Sequence, residues 1–87
     1  SDINDEEEQE VNYNGLEPSK VLETLNSLKE NYRLVLTLNL IEGFDYEEIS
    51  EILKITNENV RTTISRAKKK LKQLLVAQQI EIQANGK

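Results

Sequence analysis

The chain has no cysteine and no histidine among its 87 residues, and no Trp or Met. Without cysteine there are no disulfides and no thiolate metal site. Without histidine as well, zinc and haem ligation and the usual nucleophile–base pairs are excluded, so no cofactor is expected. Aromatics make up 5% of the chain, so the core must be built of Leu, Ile and Val. Pro occurs once and Gly three times, which leaves long uninterrupted stretches for helices. No apolar run approaches the roughly 18 residues of a membrane span, and no signal peptide is visible. A membrane partner is therefore not expected, and the reading is cytoplasmic. The chain begins with Ser1 rather than Met, as an excised fragment would. A chain of this length buries one modest core and no large pocket.

The net charge of −5 hides an uneven distribution. Residues 1–19 carry seven acids and no base (Asp2, Asp5, Glu6, Glu7, Glu8, Glu10, Glu17). Residues 54–72 carry seven bases (Lys54, Arg61, Arg66, Lys68, Lys69, Lys70, Lys72) against Glu58 alone. Such asymmetry describes an acidic tail on a module with a basic face, so an acidic chain can still bind nucleic acid. Residues 1–15 lack periodicity and read as an acidic disordered linker. Residues 16–87 read as the folded domain.

Four helices are expected. Pro18 suits the first turn of one, with Val21, Leu22, Leu25 and Leu28 as its apolar stripe. Ser27 and Glu30 have capping-box spacing and mark a second start. From Asn31 to Glu42, alternating leucines allow a strand. Helical rows also fit (Tyr32, Leu36, Leu40 and Leu34, Leu38, Ile41), and Leu favours helix. The segment reads as a helix buried on most sides, ending at Gly43 as its C-terminal cap. Next, Asp45 and Glu48 form a capping box and Phe44 and Ile49 a hydrophobic staple; Ile49, Ile52 and Leu53 face inward. Thr56 caps a fourth helix with Ile55 and Val60 as its staple. Val60, Ile64, Ala67, Leu71 and Leu74 then make one apolar stripe, and Asn85-Gly86 ends the helix.

A short helix, a three-residue turn with small Ser50 at the crossing, and a longer basic helix are the sequence form of a helix-turn-helix. The opposite faces of the last helix present Arg61, Ser65, Lys68 and Lys72 in one row and Thr62, Arg66, Lys69 and Gln73 in another. Short polar or forked side chains near its start (Asn57, Asn59, Arg61, Thr62, Ser65, Arg66) suit base edges, and the following lysines, Lys69 among them, suit phosphates. Tyr46 can donate to a phosphate or pack. Glu47, Glu48 and Glu51 match helix-start electrostatics, and no catalytic set is visible, so the chain is not expected to be an enzyme.

The run from Leu28 through Leu75 resembles the C-terminal, region-four domain of sigma-70 family factors, most closely the extracytoplasmic-function type. Leu28, Tyr32, Arg33, Val35, Leu36 and Leu38 look like that family's first core helix. Residues Phe44-Asp45-Tyr46-Glu47-Glu48-Ile49-Ser50 look like the start of its helix-turn-helix. Val60-Arg61-Thr62-Thr63-Ile64-Ser65-Arg66-Ala67 looks like its recognition helix. The chain departs from the family's common pattern with Lys29 for Pro, Lys54 for Gly, Asn59 for Thr and Thr63 for a base. The resemblance implies an all-α four-helix domain without winged elements that reads the −35 promoter element in double-stranded DNA. It also implies docking of the RNA polymerase β flap in an apolar groove, lined here by Leu36 and Leu40, and occlusion by an anti-sigma factor. A response-regulator output domain and a pure protein-docking module are the rival readings.

Overall fold

The computed structural model describes residues 17–85, with side chains described through Gln78. The acidic segment 1–15 lies outside the described residues. Among the described residues there are four helices: α1 (Pro18–Asn26), α2 (Glu30–Leu36), α3 (Tyr46–Leu53) and α4 (Asn57–Asn85). A π-helical segment, Thr37–Ile41, extends α2. No strand occurs among the described residues, so the strand reading of the leucine-rich segment is discarded.

Helix α4 is the spine. At 1.5 Å per residue its 29 residues span about 43 Å, which accounts for most of the 47 Å longest dimension. Helices α1, α2 and α3 all pack against it. Val60, Ile64, Ala67, Leu71 and Leu75 are buried on its inner face, where they meet Leu25 and Leu28, Val35 and Leu36 of α2, and Ile49 of α3. Leu74, expected to end the buried stripe, is only half-buried; Leu75, four residues after Leu71, takes that place.

Helix α1 begins at Pro18, whose missing N–H has no partner to lose there. The buried Thr24 donates its hydroxyl to the Lys20 carbonyl (2.9 Å) and accepts from the Gln78 amide (2.8 Å). That bond ties α1 to the distal part of α4. Ser27 does not cap α2. It is the C-cap of α1, and its hydroxyl donates to the Thr24 carbonyl at 2.7 Å. Helix α2 starts instead from Lys29, without a side-chain cap.

The second segment is less buried than expected, and the π turn gives the reason. The Glu42 N–H reaches the Thr37 carbonyl at 3.0 Å, a bond across five residues that breaks the four-residue register. Leu36 is 0% exposed, whereas Leu40 is 50% and Ile41 51% exposed, and Leu34 is exposed too. Gly43 then takes φ +82°, a conformation that strains any residue with a Cβ. The Asn39 amide donates to the Phe44 carbonyl (2.9 Å) and the Phe44 N–H to the Leu38 carbonyl (3.0 Å), which fixes the entry to α3.

Candidate nucleic-acid interface

The candidate interface is the outer side of α3–turn–α4, and local chemistry sets its shape. Asp45 accepts from the Glu48 N–H at 2.8 Å, and the Glu48 carboxylate accepts from the Asp45 N–H at 2.9 Å. This reciprocal box satisfies two donors that the start of α3 leaves open. Phe44 and Ile49 both pack into the core, as a staple requires. Ile52, expected to face inward, is 46% exposed; the inward face of this short helix is Ile49 with half-buried Leu53.

Lys54 ends α3 in the left-handed region at φ 61°, ψ 43°. Its conformation turns the chain sharply, and the Ile55 N–H bonds back to the Ser50 carbonyl at 3.1 Å. Half-buried Ser50 donates its hydroxyl to Glu47 of its own helix at 2.8 Å. Thr56 accepts from the Asn59 N–H at 3.0 Å and so caps α4. The turn is therefore three residues, Lys54 to Thr56, between two capped helices.

This turn sets the outer face of α4 toward solvent. Asn57, Asn59, Arg61, Thr62, Arg66, Lys68, Lys69 and Lys70 are exposed, and Ser65 is half-buried. Directly opposite, Val60, Ile64 and Ala67 are buried. Tyr46, at the start of α3, is half-buried against the core, and the Arg61 guanidinium lies 5.6 Å from its ring centroid. That cation–π contact restrains Arg61, which projects from the first turns of α4. Tyr46 thus packs while its ring supports a neighbouring cation.

Thr63 was not among the expected site residues. Its hydroxyl donates to the Asn59 side-chain oxygen at 3.1 Å, which orients the Asn59 amide so that its N–H donors point away from Thr63. The four-residue spacing of the pair was the available signal. Of the two expected docking residues, Leu36 is removed from any surface because it fills the core, while Leu40 stands half exposed beside Ile41.

From Arg61 to Lys70 every charged side chain of α4 is a cation. Among the described residues no ion pair engages Arg66, Lys68, Lys69 or Lys70, and Lys20–Glu23 of α1 is an exposed pair at 3.8 Å. No cluster of acids that could hold a metal ion occurs among the described residues. No helix there is long and apolar enough to cross a membrane. A helix with exposed cations along its middle and short polar groups at its start can bind phosphates along its length and reach base edges near its N-terminus.

Residues 19–71 match the family described as Sigma-70, region 4. Over 50 residues the chain is 36% identical to the ECF RNA polymerase sigma factor SigM of Bacillus subtilis (strain 168), a stretch that covers 58% of this chain and 31% of that protein. The chain thus spans about a third of the length of that curated relative. No solved structure matches it.

Proposed function

The chain belongs to the sigma-70 region 4 family, and from that premise we propose that it is the promoter-reading domain of an extracytoplasmic-function sigma factor, which directs RNA polymerase to initiate transcription. The observation that carries this reading is the two-sided α4. One stripe is buried from Val60 to Leu75, and the other presents Asn57, Asn59, Arg61, Thr62 and Arg66 to solvent beside exposed Lys68, Lys69 and Lys70. In this reading α4 enters the major groove at the −35 element. Arg61, Thr62, Ser65 and Arg66 address bases and the adjoining backbone. Asn57 and Asn59 address base edges as well, Lys69 holds a phosphate, and Tyr46 acts by holding Arg61 in place. Exposed Leu40 and Ile41 offer the polymerase flap an apolar contact, and an anti-sigma factor that covered either surface would silence the domain.

Fluorescence anisotropy with duplexes containing a −35 element tests the reading. About four or five phosphate contacts give a log–log salt slope near −4. Arg66→Ala costs roughly 1–3 kcal/mol of binding if the guanidinium is a base contact, and it does so on a preferred duplex more than on a scrambled one. Equal binding by the wild type and Arg66→Ala would remove that residue from the interface. Absence of any salt-dependent DNA binding would leave a protein-docking module.

A further inference from the structure

The basic face of α4 has a charge complement within its own chain. Asp2, Asp5, Glu6, Glu7, Glu8 and Glu10 place six acids in nine residues with no base among them. Residues 54–72 carry a surplus of six positive charges, and Arg66, Lys68, Lys69 and Lys70 of that set are exposed and engaged by no ion pair among the described residues. We infer that the acidic segment 2–10 docks on the Arg66–Lys70 face of α4 and competes there with DNA phosphates. The inference rests on the DNA-binding reading for its consequence, but not for the contact itself.

Reach is longest for Asp2 and the acids beside it, and falls to about 25 Å for Glu10. At about 3.3–3.6 Å per residue, Asp2 can extend roughly 50 Å from Glu17, more than the 47 Å longest dimension of the domain. A short covalent connection also gives the segment an effective concentration on the order of millimolar, so a contact too weak to see between separate molecules is populated within one. Carboxylates and phosphates use the same donors. A guanidinium takes either one as a bidentate acceptor, and an ammonium takes either as a point charge. The acids therefore occupy α4 by the chemistry that would bind DNA, and a duplex must displace them. The described acids of the helix-turn-helix do not fill this role: Glu58 is a single charge at the start of the helix, Asp45 and Glu48 are committed to the capping box, and Glu47 and Glu51 enter no ion pair among the described residues.

The test uses the full 87-residue chain and a variant in which Asp2→Asn, Asp5→Asn, Glu6→Gln, Glu7→Gln, Glu8→Gln and Glu10→Gln remove the charge without shortening the chain. Two readouts are needed. In DNA-free protein, amide chemical shifts of residues 61–70 should differ between the chains at about 10 mM salt. Raising the salt of the wild type to about 0.5 M should move those amides toward the variant's positions, as the Debye length falls well below 10 Å. In anisotropy, the variant should bind duplex DNA roughly two- to tenfold tighter at low salt, as an effective concentration about one to nine times the dissociation constant of the contact requires. The gain should shrink as salt rises. Unchanged shifts in residues 61–70 overturn the docking whatever the affinities do, and tighter binding without shift changes assigns the effect to long-range repulsion between tail and DNA. If neither chain binds DNA, the promoter-reading proposal fails while the shifts still decide the contact.

Discussion

Helix α3 begins with two reciprocal side-chain hydrogen bonds and α4 with one, whereas α2 begins with none. The same contrast holds at the other ends. Helix α3 stops at one left-handed residue and passes into α4 within three residues. Helix α2 loosens into a π turn and needs Asn39, Leu38 and Gly43 to bring the chain round to Phe44. The helix-turn-helix half is therefore shaped by devices that act within a few residues. The α1–α2 half is shaped mainly by what it packs against: Leu25, Leu28, Val35 and Leu36 on the α4 stripe, and Thr24 on Gln78. A half that must present a rigid outer face carries its geometry locally. The half that fills in behind it takes its geometry from the core.

The sharpest way to break this contrast is within α2 and its π extension. If core packing fixes that half, Leu36→Ala should destabilise the domain by about 2–5 kcal/mol, the range for opening a cavity at a fully buried leucine. Leu40→Ala, four residues on, should stay within about 0.5 kcal/mol, as exposed substitutions do. Urea unfolding followed by circular dichroism gives both numbers. Similar losses for the two would mean that Leu36 and Leu40 share one buried face, as a regular helix would have it, and that the π turn does not form in solution.

A smaller effect separates the two capping arrangements. Asp45→Ala removes the acceptor for the Glu48 N–H and should cost about 1 kcal/mol. Ser27→Ala, at the residue with the sequence spacing of a cap but a position at the end of α1, removes a bond to the Thr24 carbonyl and should cost less, within about 0.5 kcal/mol. Equal costs in thermal melts would make Ser27 as structurally committed as Asp45 and erase the difference between the halves.

These contrasts also explain what the sequence could reveal. The capping box at Asp45, the Thr56 cap and the long apolar stripe of α4 were all legible, because each is a spacing of a few residues with one physical cause. The spacing of Ser27 and Glu30 was the same kind of signal and misled, because Ser27 found its partner in the preceding turn instead. Helical periodicity puts Ile52 inward because it assumes a neighbour on that side, and α3 has too few neighbours to cover it. The π turn left no mark: its segment packs against α3, a tertiary contact that no local pattern encodes. At the candidate interface, the residue types along α4 were readable. The support of Arg61 by Tyr46 was not, because it depends on the angle between α3 and α4.

The smallest effect concerns Lys54, where the family commonly has glycine and this chain does not. Its φ of 61° puts a Cβ close to the following carbonyl, a strain of roughly 1–2 kcal/mol that glycine does not suffer. Lys54→Gly relieves that strain but adds freedom to the unfolded chain, an opposing term of about 0.5–1 kcal/mol. The exposed lysine side chain leaves no cavity behind, so the net change should be a gain of about 0.5 kcal/mol, read as a slightly higher urea midpoint with an unchanged slope. The same substitution removes one positive charge from the edge of the basic face. If Lys54 neutralises a phosphate, the log–log salt slope for DNA should become shallower by about 0.9. A stability gain together with a shallower slope would show that the turn tolerates strain at a position where a cation serves DNA binding. A loss of stability would show that Lys54 holds the turn by some contact of its side chain, and the view of this half as set by backbone and capping chemistry would fail at its tightest point.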